Sequence, residues 1–445
     1  AAAAGPMVRN GAIAPELIGA WRMLGEGRLV EISATGVQQF QEAPTMCYAD
    51  ASASTTDLAD LQDLHFSATA SKVDLFELDG APAAHTLEKI GAIPAACRTP
   101  VASTPARTYE ALCEIMSQDY AFFEARKVDW EARCHQFGPT AARASTDDEL
   151  QAALVSVLDG IGDAHVKLYR DQDGERRQVF SGMRTATLEL LKQAFAQQDE
   201  VADLRTFQLG WREEVLAQVQ ARLEGGGTER LGGAMRYGRL PGNVGYIGLH
   251  RMLGFSNDGQ LSSEVALAGA AIDEALGALA STRMLIVDVS FNGGGSDLVS
   301  AEIAARFADQ PRLAFTKHWQ RPQGRAPQPW TVSPKGAARY TKPVYLLTSD
   351  LTGSAGETFT LMMRQMPQVI HAGQPTLGSI SDILERPLPG HFTVTFSNEI
   401  DLDPAGQSWE ARGIPPALPL QLFDPARLDT LLTGHGAALD ALLAR

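Results

Sequence analysis

Two junctions of the same form, each a strand that hands over to a helix, constrain the second half of this chain more than any other feature. Met284-Leu285-Ile286-Val287-Asp288-Val289-Ser290 is an apolar run of buried-strand type. It meets Phe291-Asn292-Gly293-Gly294-Gly295-Ser296-Asp297, and a helical pattern through Ala301, Ala304, Ala305 and Phe307 follows. Pro343 to Thr348 repeats the form: a short apolar run, then Thr352-Gly353-Ser354-Ala355-Gly356-Glu357, then Phe359, Met362, Met363 and Met366 at helical spacing. From Gly242 to Phe423 strands and helices alternate, including Val244 to Leu249 and Leu261 to Leu279. Such alternation predicts an α/β layered domain.

The junctions also carry chemistry. The first N–H groups of a helix lack intrahelical partners and the macrodipole adds positive charge there, so an oxyanion formed beside Ser354 would find donors ready. A plain helix N-cap is the competing role for Ser354. Three glycines after a strand let the backbone approach a ligand and turn N–H groups toward it, with an unliganded tight turn as the alternative. A dinucleotide or phosphate loop fails, because Leu298 stands where G-x-G-x-x-G needs its last glycine and no G-K-[ST] follows. Two further segments hold candidate partners. Leu158-Asp159-Gly160-Ile161-Gly162-Asp163-Ala164-His165-Val166 closes a helical pattern and brings out one histidine, whose ordinary pKa suits proton transfer. Ser408-Trp409-Glu410-Ala411-Arg412-Gly413-Ile414-Pro415-Pro416 places a carboxylate before a turn.

In this order, the four segments resemble the tail-specific, or C-terminal processing, peptidases of the S41 type, over about residues 104 to 420. The family's D-x-R-x-N-x-G-G is similar to Asp288-Val289-Ser290-Phe291-Asn292-Gly293-Gly294-Gly295, its S-A-x-E to Ser354-Ala355-Gly356-Glu357, and its V-x-G-x-x-T-x-G to the stretch from Ile370 to Gly378. The processing branch uses a Ser/Lys dyad, but Ser379 occupies the position of that lysine. The branch of the tricorn core and the retinoid-binding repeats carries D-x-H and E-x-x-G-[VI]-x-P-D instead. Asp163-Ala164-His165 matches the first and Glu410 to Pro416 most of the second, with Ala417 in place of the final Asp.

The resemblance implies a crotonase/ClpP-like catalytic domain and a serine peptidase acting through an acyl-enzyme. Its triad would be Ser354 as nucleophile, His165 as general base and Glu410 as the carboxylate that holds the imidazole in the right tautomer and stabilises its cation. The N–H groups of Gly294 and Ala355 are the oxyanion-hole candidates, with Gly293 or Gly295 able to replace Gly294. No metal or organic cofactor is implied, and the substrate is a peptide or protein. A catalytically weak binding protein of the same fold and a hydrolase of non-peptide esters or amides are the alternatives. Lys167, Lys317 and Lys342 are secondary candidates for the base, each expected to be a solvated surface charge.

Setting and organisation follow from the remaining residues. Lys and Arg number 38 against 53 Asp and Glu, and the resulting net charge of −15 disfavours nucleic acid and anionic membrane as partners. No apolar run reaches the length needed to span a bilayer. Residues 1–10 are expected to be a tail or leader remnant. Period-two alternation predicts a small antiparallel β domain over 11–99. A helical subdomain carrying His165 is expected over 100–237, the α/β catalytic domain over 238–423, and a C-terminal helix over 424–445. The only pattern found between His165 and Leu240 is helical, from Thr185 to Leu223, so no PDZ domain is expected. The cysteines Cys47, Cys97, Cys113 and Cys134 lack metal-ligand spacing, and two readings stay open for them, free buried thiols or one of three disulfide connectivities. By resemblance, the protein is expected in the periplasm or cell envelope, with the cytoplasm as alternative.

Overall fold

The computed structural model describes residues 3–55, 57–198 and 202–445. The chain divides into two units, one of Ala1–Met183, Thr316–Pro329 and Ser381–Leu402, the other of Arg184–Phe315, Trp330–Ile380 and Asp403–Arg445.

The first unit begins with an eight-stranded antiparallel sheet. Its strands run Ala3–Pro6, His65–Ala68, Lys72–Phe76, His85–Ile90, Gly19–Met23, Arg28–Ser33, Gly36–Glu42 and Cys47–Thr55 in spatial order. The period-two pattern sends alternate residues of this sheet to opposite faces: Trp21, Val30, Ile32, Phe66, Val73 and Leu87 build the main core, and Ala20, Leu29 and Phe40 belong to a smaller one. Residues 3–6, expected as part of a tail, are an edge strand antiparallel to His65–Ala68. The helices Pro105–Asp119, Trp130–Ala142 and Asp147–Leu158 follow, each started by a side-chain cap, from Thr104, Asp129 and Thr146. They share a core with a four-stranded sheet in the order Glu175–Ser181, Lys167–Gln172, Phe392–Ser397, Ile383–Pro387. The first two of these strands form a hairpin where a helical subdomain was expected. Its turn, Asp173-Gly174, has positive φ at both residues, the geometry that matches strand twist and that Asp-Gly favours.

The four cysteines, which the sequence left open between free thiols and three pairings, are paired. Cys47 bonds Cys97, and Cys113 bonds Cys134, which staples the first two long helices together.

The second unit is a seven-stranded mixed sheet in the order Thr228–Arg230, Met235–Leu240, Val244–Leu249, Met284–Asp288, Val344–Thr348, Val369–Gly373, Leu418–Pro419. The first two pairings are antiparallel and the remainder parallel. The helices Ala186–Phe195, Leu204–Arg222 and Thr430–Leu443 pack Leu191, Trp211, Val215 and Leu439 against sheet residues Tyr246, Ile286 and Leu347. Leu261–Ala278, Asp297–Ala304 and Ala355–Met363 form a second set of neighbouring helices. The helical stretch read from Thr185 to Leu223 is two helices, since Asp203 caps a new start by accepting from the Thr206 N–H. Among the described residues, no helix is long and apolar enough to cross a membrane.

Candidate active site

The strands Met284–Asp288 and Val344–Thr348 are parallel neighbours, with Asp288 beside Leu347, so the glycine loop and the Ser354 turn leave the same end of the sheet side by side. Ligand sites of open parallel sheets form at this end. Hydrogen bonds lace the two loops together: Thr352 Oγ1 donates to the Val289 carbonyl at 2.8 Å, Ser349 Oγ to the Ser290 carbonyl at 2.5 Å, and Gly353 N–H to the Asn292 carbonyl at 2.9 Å. A Cβ on Gly294 would lie 2.6 Å from Ser354 Cβ, and its φ of +113° already favours glycine.

Ser354 precedes the helix Ala355–Met363 but does not cap it. Its side chain makes no cap bond, and its backbone sits at φ 52°, ψ −126°, a region a non-glycine residue enters only under constraint. The constraint is visible. Ser354 N–H donates to the Ser379 carbonyl at 2.9 Å, and the Ser354 carbonyl accepts from Glu357 and Thr358 N–H. The hydroxyl is therefore presented at a sharp turn, with the side chain half-buried. Among the described residues, the N–H of Ala355 has no protein acceptor. The N–H of Gly294 donates to Asn292 Oδ1 at 2.9 Å, whereas those of Gly293 and Gly295 have no acceptor among the described residues.

Glu357, one helical turn on, is buried and accepts from Thr376 Oγ1 at 2.6 Å, Gly378 N–H at 2.8 Å and Ser379 N–H at 2.9 Å. Burial pushes its carboxyl up to about 7 against the pull of these donors. The carboxylate thus fixes the loop whose Ser379 carbonyl holds Ser354. The same loop supports the segment of Glu410: Ala411 N–H donates to the Gly378 carbonyl at 2.9 Å and Ile414 N–H to Thr376 Oγ1 at 2.7 Å. A Cβ on Gly413 would fall 2.0 Å from the Thr376 carbonyl oxygen, which explains the glycine. Glu410 itself is buried, and its Oε2 accepts from Ile380 N–H at 2.8 Å. The sequence-expected Ser354, Glu410, Gly294 and Ala355 all belong to this second unit.

His165 belongs to the first unit. The helix Asp147–Leu158 ends at Asp159, and the turn that follows delivers Asp163-Ala164-His165 to the start of the strand Lys167–Gln172. His165 is buried; its N–H donates to Asp163 Oδ1 at 2.8 Å and its carbonyl accepts from Thr395 Oγ1 at 2.7 Å. Its Nδ1 lies 3.2 Å from Ser397 Oγ. Burial, with Lys167 and Arg126 nearby, lowers the imidazole pKa against the pull of Asp163 and Asp382, so the ring is neutral at neutral pH. Asp163 is held below the usual carboxylate range: burial raises it, but Arg126 and His165 outweigh that. The proximity of Ser397 to His165 was not legible in the sequence, because strand register alone brings the two together.

Two of the three lysines have other work. Lys317, expected at the surface, is buried, with Asp382 and Glu399 carboxylates each at 2.8 Å. Lys342 caps carbonyls of Ala280 and Thr282, each at 2.7 Å. Lys167 is partly buried, and burial lowers its pKa. Among the described residues, no group of three or more His, Cys, Asp or Glu is arranged to hold a metal ion.

Comparison with known proteins places this architecture. Residues 243–420 match the model of peptidase family S41, and residues 103–158 that of the tricorn protease C1 domain. A Parabacteroides merdae ATCC 43184 protein assigned as a peptidase is similar in fold, with 24% identity and a TM-score of 0.56, covering 77% of this chain and 98% of its own. Mature CPAF in complex with lactacystin is similar at 11% identity and a TM-score of 0.52, covering 76% of this chain and 97% of its own. This chain therefore carries a peptidase family S41 domain over residues 243–420 and a tricorn C1 domain over residues 103–158, and it is a serine-type peptidase, a hydrolase.

Proposed function

We propose that this peptidase cleaves peptide bonds through an acyl-enzyme on Ser354, with His165 as general base and Glu410 as the carboxylate of the triad. The observation that carries this reading is the backbone of Ser354: a serine at a helix start, forced to positive φ and without a cap bond, beside an Ala355 N–H that lacks an acceptor among the described residues. Capping does not account for such a residue, whereas nucleophilic attack uses both features. In the proposed reaction Ser354 Oγ bonds the scissile carbonyl carbon while its proton passes to His165. The carbonyl oxygen gains charge, and the Ala355 N–H with one from the glycine loop stabilises it, each donor contributing about 3 kcal/mol. His165 then returns the proton to the departing amine, and water, activated by the same imidazole, releases the acyl group. Glu410 stabilises the imidazolium in between. The lowered pKa of His165 supports its role, because the neutral ring is the competent base.

Ser354→Ala should abolish peptidase turnover on a mixed peptide library while leaving the circular dichroism spectrum and melting temperature near wild type. Undiminished turnover in that variant would remove the assignment. The two disulfides support export to an oxidising compartment, the periplasm or cell envelope. Fractionation of the native host, with the protein recovered only from the cytoplasm, would contradict that location.

A further inference from the structure

One polar residue interrupts the apolar face of the last helix, and it reaches the strand that feeds the glycine loop. Thr430–Leu443 buries Leu431, Leu439 and Leu442, and His435, one turn from each of Leu431 and Leu439, is buried on the same face. A histidine enclosed by leucines needs a polar partner. Its Nε2 lies 2.7 Å from Asp288 Oδ2, and both residues are buried. A carboxylate only accepts, so the ring donates through Nε2–H. Tyr246 Oη donates to the same oxygen at 2.8 Å, which leaves Oδ1 to accept from the Ser290 N–H at 2.9 Å. The His435 ring also lies 5.7 Å from that of Phe291. The last helix therefore meets the stem of the glycine loop at two points, Asp288 and Phe291.

From that stem the hydrogen bonds run on to both sides of the candidate oxyanion hole. The carbonyls of Val289 and Ser290 hold the hydroxyls of Thr352 and Ser349 in the turn of Ser354. Asn292 N–H donates to the Val289 carbonyl at 2.9 Å, Asn292 Oδ1 accepts from Gly294 N–H, and the Asn292 carbonyl accepts from Gly353 N–H. A tilt of the Asp288 carboxylate thus moves Ser290 and the stretch that aims the N–H groups of the glycine loop and of Ala355. Packing alone would be met by a leucine at 435 and a phenylalanine at 246, with no polar atom left to satisfy. What the carboxylate holds explains why two buried donors converge on it.

We propose that His435, together with Tyr246, is a positioning residue of the oxyanion hole: it fixes the Asp288 carboxylate, and through the Ser290 N–H it sets the glycine loop and the turn of Ser354 in the geometry that receives the charged carbonyl oxygen. The role rests on the reading of Ser354 as the nucleophile. The last helix then serves the site as well as the core.

Acylation by p-nitrophenyl acetate and by its thiono analogue, in which sulfur replaces the carbonyl oxygen, separates this role from a structural one. Sulfur is a weak acceptor and draws little on the hole. Rates are taken after subtracting that of Ser354→Ala. In His435→Leu, which keeps the bulk, kcat/KM for the oxygen ester should fall roughly ten- to hundredfold, and that for the thiono ester by less than about threefold. A loss of folded protein would lower both equally. Tyr246→Phe keeps the ring packing and removes one donor, so it should fold and show the same selective loss, about three- to tenfold. His435→Gln, whose amide can donate to Asp288 Oδ2, should restore the oxygen-ester rate to within about fivefold of wild type. Equal losses on the two esters, wild-type rates in Tyr246→Phe and in folded His435→Leu, or a glutamine variant no better than the leucine one would overturn the proposal. Failure of the underlying reading looks different: wild type and Ser354→Ala would then release p-nitrophenol at the same rate.

Discussion

Ser354 holds a conformation that costs about 1–3 kcal/mol relative to an ordinary turn, and the surrounding hydrogen bonds to Ser379, Glu357 and Thr358 offset it. Such strain at a polar residue is retained where it aims a side chain. The handover from strand to helix was readable in the sequence because hydrophobic period and glycine spacing are local. The strain was not, since it depends on the carbonyl of Ser379, which another loop supplies. Glu410 is a second residue whose surroundings decide its test. Its Oε2 accepts from Ile380 N–H, and the carbonyl oxygen of a glutamine can accept the same bond, so Glu410→Gln should fold normally. The substitution removes charge alone, and kcat is expected to fall about ten- to hundredfold. Steady-state kinetics showing a wild-type rate would take Glu410 out of the triad and leave Ser354 in place.

Among elements, the most legible were those whose pattern is complete within a short window: the capped helices before His165, the alternating strands of the first sheet, and the buried parallel strands of the second. Pairings between distant segments were hidden. Nothing near Lys317 indicates that a strand containing Glu399 and Asp401 will lie beside it and bury it among carboxylates. The hairpin after His165 is a different case, since Asp173-Gly174 is a local turn signal set among charged residues that mask the alternation of its strands. Disulfide pairing is also non-local, four cysteines allowing three connectivities. Thiol titration of the unreduced protein in denaturant should find no free thiol, and four after reduction. Reduction should lower stability by about 2–4 kcal/mol per bond, read as a shift of the urea midpoint. Four titratable thiols in the unreduced protein would contradict the staples.

For the whole molecule, the buried titratable groups predict how stability responds to acid. Burial lowers His250 to about 4, and burial with Arg364 lowers His371 to about 3. Glu26 stands at about 2, since His85, Arg28 and Arg325 outweigh the burial that would raise it. A group with a lowered folded-state pKa binds fewer protons folded than unfolded, so its contribution is lost as pH falls through that value. Glu357 and Asp119, raised by burial, act in the opposite direction, but only above their ordinary values of 4.5 and 3.8, below which both states are protonated. From about pH 3.8 down to about pH 2 the contributions from these groups therefore share one sign. Urea midpoints should fall steadily across that interval, and a flat or rising profile would show that these groups are not buried as described.

The proposed nucleophile is tested most directly by a fluorophosphonate probe, which bonds only an activated serine, followed by mass mapping of the labelled peptide in wild type and in His165→Ala. Labelling confined to Ser354 and lost in the variant is the predicted result. A folded wild-type protein that takes no label, or takes it on another serine, would contradict the catalytic assignment.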